Sequence, residues 1–186
     1  MIKKILILLL LFITGIAVLG CNKKTKLVNG KSGESTAEER AQSWAIRDEK
    51  ENTIAVITAP ANGKYRIADQ RYDGCDIVLK NEEPYAVGTV IRCMQLSPDD
   101  DIKIWENNAQ FDDSVTITEK VKEKSKNGTE YTLLNIVRKD LGTEYYCIFG
   151  NEKNTIEIKM TDYNLERFGL KYISTAKELV DLIELQ

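Results

Sequence analysis

The chain has 186 residues, with 26 basic and 29 acidic side chains, a formal net charge of −3 and no histidine. A mildly acidic chain has no general electrostatic attraction to nucleic acid, so we predict no nucleic-acid partner. The lack of histidine excludes Ser-His-Asp and Cys-His nucleophile systems as well as histidine-ligated zinc sites. We therefore predict a non-enzymatic protein without a cofactor.

The N-terminal segment has the layout of an export signal. The first four residues carry two lysines, residues 5–20 are apolar apart from one threonine, and the segment ends in Val18-Leu19-Gly20-Cys21. A basic start, a short apolar stretch and a small residue before a cut are typical of secretory signal peptides. The cysteine directly after this stretch resembles the lipobox of bacterial lipoprotein precursors.

That resemblance implies that Cys21 is the lipid attachment residue and becomes the mature N-terminus. Residues 1–20 are then the signal peptide, and 21–34, which are rich in Lys, Gly, Asn and Ser, form a flexible tether. The expected location is the bacterial cell envelope, anchored to a membrane. A retained transmembrane helix and simple secretion are the alternatives, although about sixteen apolar residues fall short of the roughly twenty that span a bilayer.

Residues 35–186 are predicted to form a mostly β globular region with a short helix at its start. Either Ser35 or Thr36 can form a capping box, and apolar residues including Trp44 recur at helical spacing, so we predict a helix over about 36–50. β-branched runs then predict strands, separated by turn residues. The predicted strands are 53–58, 64–68, 75–79, 85–94 and 102–105, with a turn at 97–101.

The region 114–160 gives the clearest pattern in the chain. Residues 114–121 alternate with period two, and Asn127-Gly128 is a strong hairpin signal. Further turns at 140–142 and 150–154 separate two more strands, so we predict a four-stranded antiparallel meander. Apolar residues near the end of the chain predict a C-terminal helix. The regions 52–105 and 106–186 could be two copies of one small β unit.

The segment 101–160 resembles a bacterial SH3-like barrel in its short strands, its tight turns and its late aromatic pair, Tyr145-Tyr146. The predicted fold class is accordingly mainly β (α+β), built on a small antiparallel meander or SH3-like barrel. The resemblance implies a module that binds peptidoglycan stems or peptides.

Aromatic residues are the candidates for a binding surface. Tyr145 and Tyr146 must point to opposite faces if their strand is regular, so one of them is a candidate for an exposed aromatic side chain. Tyrosine and tryptophan suit recognition surfaces because they are amphipathic. We select Tyr145, Tyr146 and Trp105 for this role.

Three cysteines follow Cys21, namely Cys75, Cys93 and Cys147. Export to an oxidising compartment permits a disulfide between Cys75 and Cys93. The alternative is that the cysteines are small buried hydrophobic residues, which we favour for Cys147. The acidic runs 99–101 and 112–113 lack the spacing of a calcium-binding loop and are interpreted as solvated turns. We predict no metal site.

These observations predict a membrane-anchored envelope lipoprotein whose non-catalytic β domain binds a partner. Cell-wall material such as peptidoglycan, another envelope protein and a host component are the candidate partners. The alternatives are a structural or assembly lipoprotein without a discrete ligand, and a hydrolase that relies on carboxylates because it has no histidine.

Overall fold

The computed structural model describes residues 40–81, 85–94 and 96–186. The predicted signal peptide, the lipid attachment residue Cys21, the tether and the first residues of the predicted N-terminal helix lie outside the described part. Within those three ranges, no helix is both long and apolar enough to cross a bilayer.

The described chain is mainly antiparallel β structure with a few helices, which confirms the predicted α+β class. The strands are β1 (Gln42–Arg47), β2 (Thr53–Ala59), β3 (Tyr65–Arg71), β4 (Gly74–Leu79), β5 (Ala86–Met94), β6 (Val115–Lys124), β7 (Glu130–Arg138), β8 (Gly142–Gly150), β9 (Asn154–Thr161) and β10 (Ile183–Leu185). The helices are α1 (Pro98–Phe111), α2 (Asp162–Arg167) and α3 (Tyr172–Val180).

Strands β6 to β9 form the meander that the sequence predicts. They pair in chain order, β6 with β7, β7 with β8 and β8 with β9, each antiparallel. The β6–β7 hairpin turns at Asn127-Gly128, where Gly128 has a φ of +88°. A residue without a Cβ adopts this left-handed conformation at little cost, which explains the strength of the Asn-Gly signal.

The SH3-like barrel predicted for 101–160 is not observed among the described strands. The described strands instead form an open seven-stranded sheet, ordered β3-β4-β5-β9-β8-β7-β6, and a three-stranded sheet, ordered β1-β2-β10. Pairing of β5 with β9, which places Val90 opposite Ile158, extends the meander instead of closing it. Strands from both predicted units, 52–105 and 106–186, therefore share one sheet, and two separate copies are not confirmed.

The seven-stranded sheet is buried on both faces. One face carries Cys147, Phe149, Ile156 and Ile158, and it packs in one cluster with residues of the small sheet, α2 and α3. We call this the core face. The opposite face, which we call the α1 face, packs against helix α1 through a second cluster. The residues of this second cluster are Ile102, Val115, Leu134, Ile136, Tyr146 and Ile148, with Trp105, Ala109 and Ile117 packed against it.

The predicted N-terminal helix is wrong where the structure describes it, because residues 42–47 form strand β1. Trp44 and Ile46 lie two positions apart, and both contact the core from one side of this strand. The Trp44 Nε1 donates a hydrogen bond of 2.9 Å to the carbonyl of Arg71. Pairing with β2 and burial of these two side chains therefore outweigh the local helical spacing.

The predicted turn at 97–101 and strand at 102–105 are also wrong, because this segment is helix α1. Ser97 is the N-cap, and its Oγ accepts a 3.2 Å hydrogen bond from the backbone N–H of Asp100. Pro98 begins the helix, and the three aspartates that follow lie in its first turn. Negative charge is stabilising there because it interacts favourably with the positive end of the helix dipole. Acidic and proline residues that suggest a turn thus form a helix N-terminus.

The C-terminal helix is confirmed but ends earlier than its apolar pattern suggests. Helix α3 stops at Val180, and Ile183–Leu185 forms β10, which pairs with β2. Ile183 is 2% exposed and lies opposite Ile57 in the small sheet. The final apolar residues therefore belong to an edge strand.

Candidate functional site

The three predicted binding residues lie on two different faces of the large sheet. Tyr145 lies on the core face and Tyr146 on the α1 face, so their opposite orientation is as expected for a regular strand. Both are buried, at 7% and 4% exposed, and neither is the exposed aromatic that the sequence suggested. Trp105 lies with Tyr146, and their ring centroids are 4.7 Å apart.

Tyr145 instead forms one wall of a cleft that we call the tyrosine cleft. Its ring stacks on that of Tyr172, with centroids 4.5 Å apart and ring planes inclined by 10°. Tyr145 comes from β8, and Tyr172 is the first residue of α3. The stack therefore joins the sheet to the C-terminal helix.

The cleft has a volume of about 520 Å³ and lies between β8, α2 and α3. Leu165, Leu170 and Ile173 add apolar surface beside the two rings. This volume is within the usual range for small-molecule pockets, which combine apolar walls with a few polar groups. The cleft is therefore large enough for a ligand of a few residues or one sugar unit.

Hydrogen bonds hold both tyrosine rings in place. The Tyr145 hydroxyl donates to Asp162 Oδ1 at 3.2 Å, and the Tyr172 hydroxyl donates to Glu119 Oε2. Burial, followed by the charge of Asp162, raises the pKa of Tyr145 to about 12. The hydrogen bond to Glu119 raises the pKa of Tyr172. Both hydroxyls are therefore neutral donors at physiological pH, and neither is a candidate base.

The rim of the cleft carries charges of both signs. Glu166 on α2 and Lys171 before α3 are exposed and line the cleft. Lys177 also lines it, but its Nζ lies 2.9 Å from Glu123 Oε2 and is paired. Among the ion pairs of the described residues, none involves Glu166 or Lys171. Each is consequently available to a ligand of opposite charge.

On the α1 face, Tyr146 belongs to a buried polar cluster around Glu144. The Tyr146 hydroxyl donates to Glu144 Oε2 at 3.0 Å, the Arg138 Nε lies 2.9 Å from the same oxygen, and Lys159 pairs with Oε1. Burial acts to raise the pKa of Glu144, but the hydrogen bonds from Lys159 and Tyr146 and the charges of Lys159 and Arg138 outweigh it. The pKa of Glu144 is therefore lowered.

This cluster predicts a pH-dependent contribution to stability. Because the pKa of Glu144 is lower in the folded state than in the unfolded state, its contribution is fully present above the unfolded pKa of about 4.3. The contribution is lost as the pH falls through the lower, folded-state pKa. Glu144→Gln should therefore cost about 1–3 kcal/mol of unfolding free energy at pH 7 and much less at pH 3, as measured by urea unfolding.

Glu130→Gln is the matched control for that measurement. The Glu130 side chain is 83% exposed and its pair with Lys124 is 3.6 Å long, so its removal should change stability by less than about 1 kcal/mol at either pH. A Glu144→Gln deficit that is equal at pH 7 and pH 3 would show that the charge on Glu144 is not responsible.

The three cysteines of the described part are free thiols. Cys75 lies opposite Val90 on the core face, whereas Cys93 lies three positions further along β5 and therefore on the other face. The predicted Cys75–Cys93 disulfide is thus not formed, because the two side chains point to opposite sides of the sheet. The prediction that Cys147 is a small buried hydrophobic residue is consistent with its complete burial.

The acidic side chains that were predicted to lie in solvated turns occupy two different environments. Asp99 and Asp100 are exposed, as are Asp112 and Asp113, whereas Asp101 is 4% exposed and points under α1. A carboxylate oxygen of Asp101, a carboxylate oxygen of Glu157 and the Sγ of Cys93 all lie within 4.8 Å of one another. In the described part of the chain, this is the one group of such side chains close enough to hold a metal ion.

Sequence reasoning missed Tyr172 and the grouping of Cys93 with Asp101 and Glu157. No local pattern marks Tyr172, which becomes part of a cleft only because α3 folds back onto β8. Cys93 and Glu157 meet because β5 pairs with β9, a contact between distant parts of the chain.

No protein-family model matches the chain, and no curated protein matches it. Among solved structures, the chain is similar to cyanobacterial PsbP (CyanoP) from Synechocystis sp. PCC 6803, with a TM-score of 0.46 and 10% identity, covering 85% of this chain and 99% of that one. It is also similar to a protein from Bacteroides thetaiotaomicron VPI-5482, with a TM-score of 0.36 and 11% identity, covering 71% of this chain and 45% of that one. Similarity at this level assigns neither a family nor a function to the chain.

Proposed function

We propose that the protein is a membrane-anchored lipoprotein of the bacterial cell envelope, attached through Cys21, whose domain binds a peptide ligand without catalysing a reaction. The ligand site is the tyrosine cleft. The observation that carries this proposal is the apolar cleft of about 520 Å³ walled by the stacked rings of Tyr145 and Tyr172.

The charges at the rim favour a ligand that carries both an amine and a carboxylate. The exposed carboxylate of Glu166 can accept hydrogen bonds from an ammonium group, and the exposed ammonium group of Lys171 can donate to a carboxylate. The apolar walls suit a side chain that lies between these two ends. Short peptides that carry a free amine and a free carboxylate, such as peptidoglycan stem peptides, have this combination of groups.

The chemistry of the candidate nucleophiles supports binding in preference to catalysis. The chain has no histidine to act as a general base. Burial is the main cause that raises the pKa of the Cys75 and Cys93 thiols, each to about 12. A cysteine nucleophile needs its thiolate at neutral pH, and these two cysteines are protonated there.

The proposed tether places the ligand near the membrane. A flexible coil of about thirteen residues has an r.m.s. end-to-end distance of roughly 20 Å. A domain on such a tether samples the layer directly above the lipid headgroups. Peptidoglycan stem peptides and the exposed segments of other envelope proteins are the candidate peptide ligands in that layer.

Tyr172→Ala is expected to weaken ligand binding by roughly 10- to 30-fold, because it removes one wall of the cleft and the ring that holds Tyr145. The measurement is saturable retention of the full chain, in detergent micelles, on purified sacculi, with competition by free stem peptides. Tyr172→Phe keeps the stacked ring and loses only the bond to Glu119, so most of the affinity should survive.

Tyr163→Ala is the matched control, since Tyr163 lies on α2, is 65% exposed and is not part of the cleft lining. It should bind as the unchanged protein does. Glu166→Gln and Lys171→Met should each reduce affinity if the two ends of the ligand are recognised. Retention that Tyr172→Ala leaves intact would refute the cleft as the site, and absence of saturable retention would favour a structural lipoprotein.

A further inference from the structure

A second candidate site lies on the α1 face, away from the tyrosine cleft and independent of it. It consists of Cys93 on β5, Glu157 on β9 and Asp101 in the first turn of α1. Because Ile91 pairs with Glu157, Cys93 and Glu157 are diagonal neighbours on the same face of the sheet. The N-cap of α1 then fixes the position of Asp101 above them.

The cluster concentrates negative charge without a compensating cation from the protein. Asp101 is 4% exposed and Glu157 is 9% exposed. Among the described residues, the ion pairs include neither carboxylate, and Asp101 Oδ2 is buried without a hydrogen-bond partner. A buried carboxylate pair of this kind needs either a shared proton or a bound cation, because desolvation and mutual repulsion both oppose charging it.

We propose that Cys93, Asp101 and Glu157 bind one divalent metal ion of the zinc type. A thiolate with two carboxylates matches the borderline-soft preference of zinc, whereas calcium and magnesium prefer oxygen ligands alone. Donors in a tetrahedral zinc site are about 3.6 Å apart, so side-chain rotations that bring these three donors slightly closer together complete the site. Water can occupy the remaining position.

Trp105 supports this assignment as a positioning residue. Its Nε1 donates a 3.2 Å hydrogen bond to Glu157 Oε1, which fixes the orientation of that carboxylate. Metal-ligating carboxylates are commonly held by such an outer partner. Cys93 is only half-buried, which gives an ion a path from solvent.

Binding exchanges protons for the metal in a balanced step. The S–H bond of Cys93 breaks and a sulfur–metal bond forms, and both the thiol proton and the proton shared by Asp101 and Glu157 pass to solvent. An ordinary cysteine thiol has a pKa of about 8.5, so the free protein holds this proton at neutral pH. Metal binding should therefore release protons and weaken as the pH falls.

The test is metal titration of the full chain in detergent micelles after treatment with a chelator. Equilibrium dialysis should find one Zn²⁺ or Cd²⁺ per chain, with no comparable binding of Ca²⁺ or Mg²⁺ at the same concentration. Cd²⁺ should produce an ultraviolet thiolate-to-metal absorption band together with proton release. Cys93→Ser should abolish the band and weaken binding at least 100-fold, and Trp105→Phe should weaken it roughly 10- to 100-fold.

Asp101→Asn and Glu157→Gln preserve side-chain shape and remove one charge, so they test the carboxylates without emptying the site. Each should weaken binding at least tenfold, whereas Asp99→Asn, an exposed neighbour on the same helix, should not change it. Two results would overturn the proposal. The first is failure to bind one Zn²⁺ or Cd²⁺ per chain, which would indicate that Asp101 and Glu157 share a proton instead of a metal ion. The second is metal binding that Cys93→Ser leaves unchanged.

Discussion

Replacing Cys21 by serine is expected to release the protein from the membrane or to block its processing. In the proposed lipoprotein the Cys21 thiol is the acceptor of the lipid, and a serine hydroxyl would not take its place. Each buried methylene of an acyl chain contributes roughly 0.8 kcal/mol, so losing two or more chains removes most of the membrane affinity. The measurements are detergent phase partitioning of cells that express the full chain, and mass spectrometry of the peptide beginning at residue 21.

Cys93→Ser is the matched control, because it changes a cysteine to serine and leaves the lipobox intact. It should remain membrane-bound and carry the same acyl mass at its N-terminus as the unchanged protein. A Cys21→Ser protein that keeps its size and stays in the membrane would instead indicate a retained transmembrane helix. Release of unlipidated wild-type protein into the medium would indicate simple secretion.

The strands of the meander were predictable because their signals are local. Alternation along β6, from buried Val115 to half-buried Ile117 and Val121, is a local signal of a strand. A register shift between Ile117 and Glu119 then places Val121 opposite Leu133 on the core face, whereas Ile117 lies opposite Ile136 on the α1 face. Turn residues at Asn127-Gly128 mark where that strand ends. The extension of the meander into a seven-stranded sheet was not predictable, because pairing of β5 with β9 depends on residues that are far apart in the chain.

The wrong predictions for helix α1 and strand β1 concern short segments whose local pattern fits both a helix and a strand. Ile102, Ile104 and Trp105 alternate as a strand does, but Ile102 and Trp105 are also one helical turn apart and both face the sheet. Ser97 with Pro98 then decides the outcome by capping a helix. The opposite error occurs at Trp44, where pairing with β2 outweighs helical spacing.

The candidate site was only partly predictable from the sequence. The aromatic content drew attention to Tyr145, but burial of both Tyr145 and Tyr146 depends on the helices that cover the two faces of the sheet. The partner ring of Tyr172 comes from a helix that follows the whole meander. Spacing along the chain carries no information about such contacts. The tyrosine cleft and the group of Cys93, Asp101 and Glu157 could therefore be identified only from the three-dimensional structure.

Gly74→Ala is expected to destabilise the domain severely. A Cβ at this position would lie 2.0 Å from the carbonyl oxygen of Val90, which is backbone and cannot move aside as a side chain does. Gly74 begins β4 and pairs with Ile91, so relieving the clash separates β4 from β5. The expected cost is about 3 kcal/mol, which for a domain of this size lowers the Tm by roughly 6–12 °C.

Gly142→Asn separates this steric effect from a general intolerance of glycine replacement. Gly142 has a φ of +84°, and no heavy atom lies within 4 Å of a Cβ built there. Asparagine adopts the left-handed conformation more readily than other side chains, so we expect a cost below about 1 kcal/mol. Thermal unfolding of the full chain in detergent, followed by circular dichroism, compares the two variants. Equal Tm values for the two variants would contradict the predicted clash. A large loss of Tm for Gly74→Ala alone would establish that the close approach of β4 and β5 at this position is required for the stability of the domain.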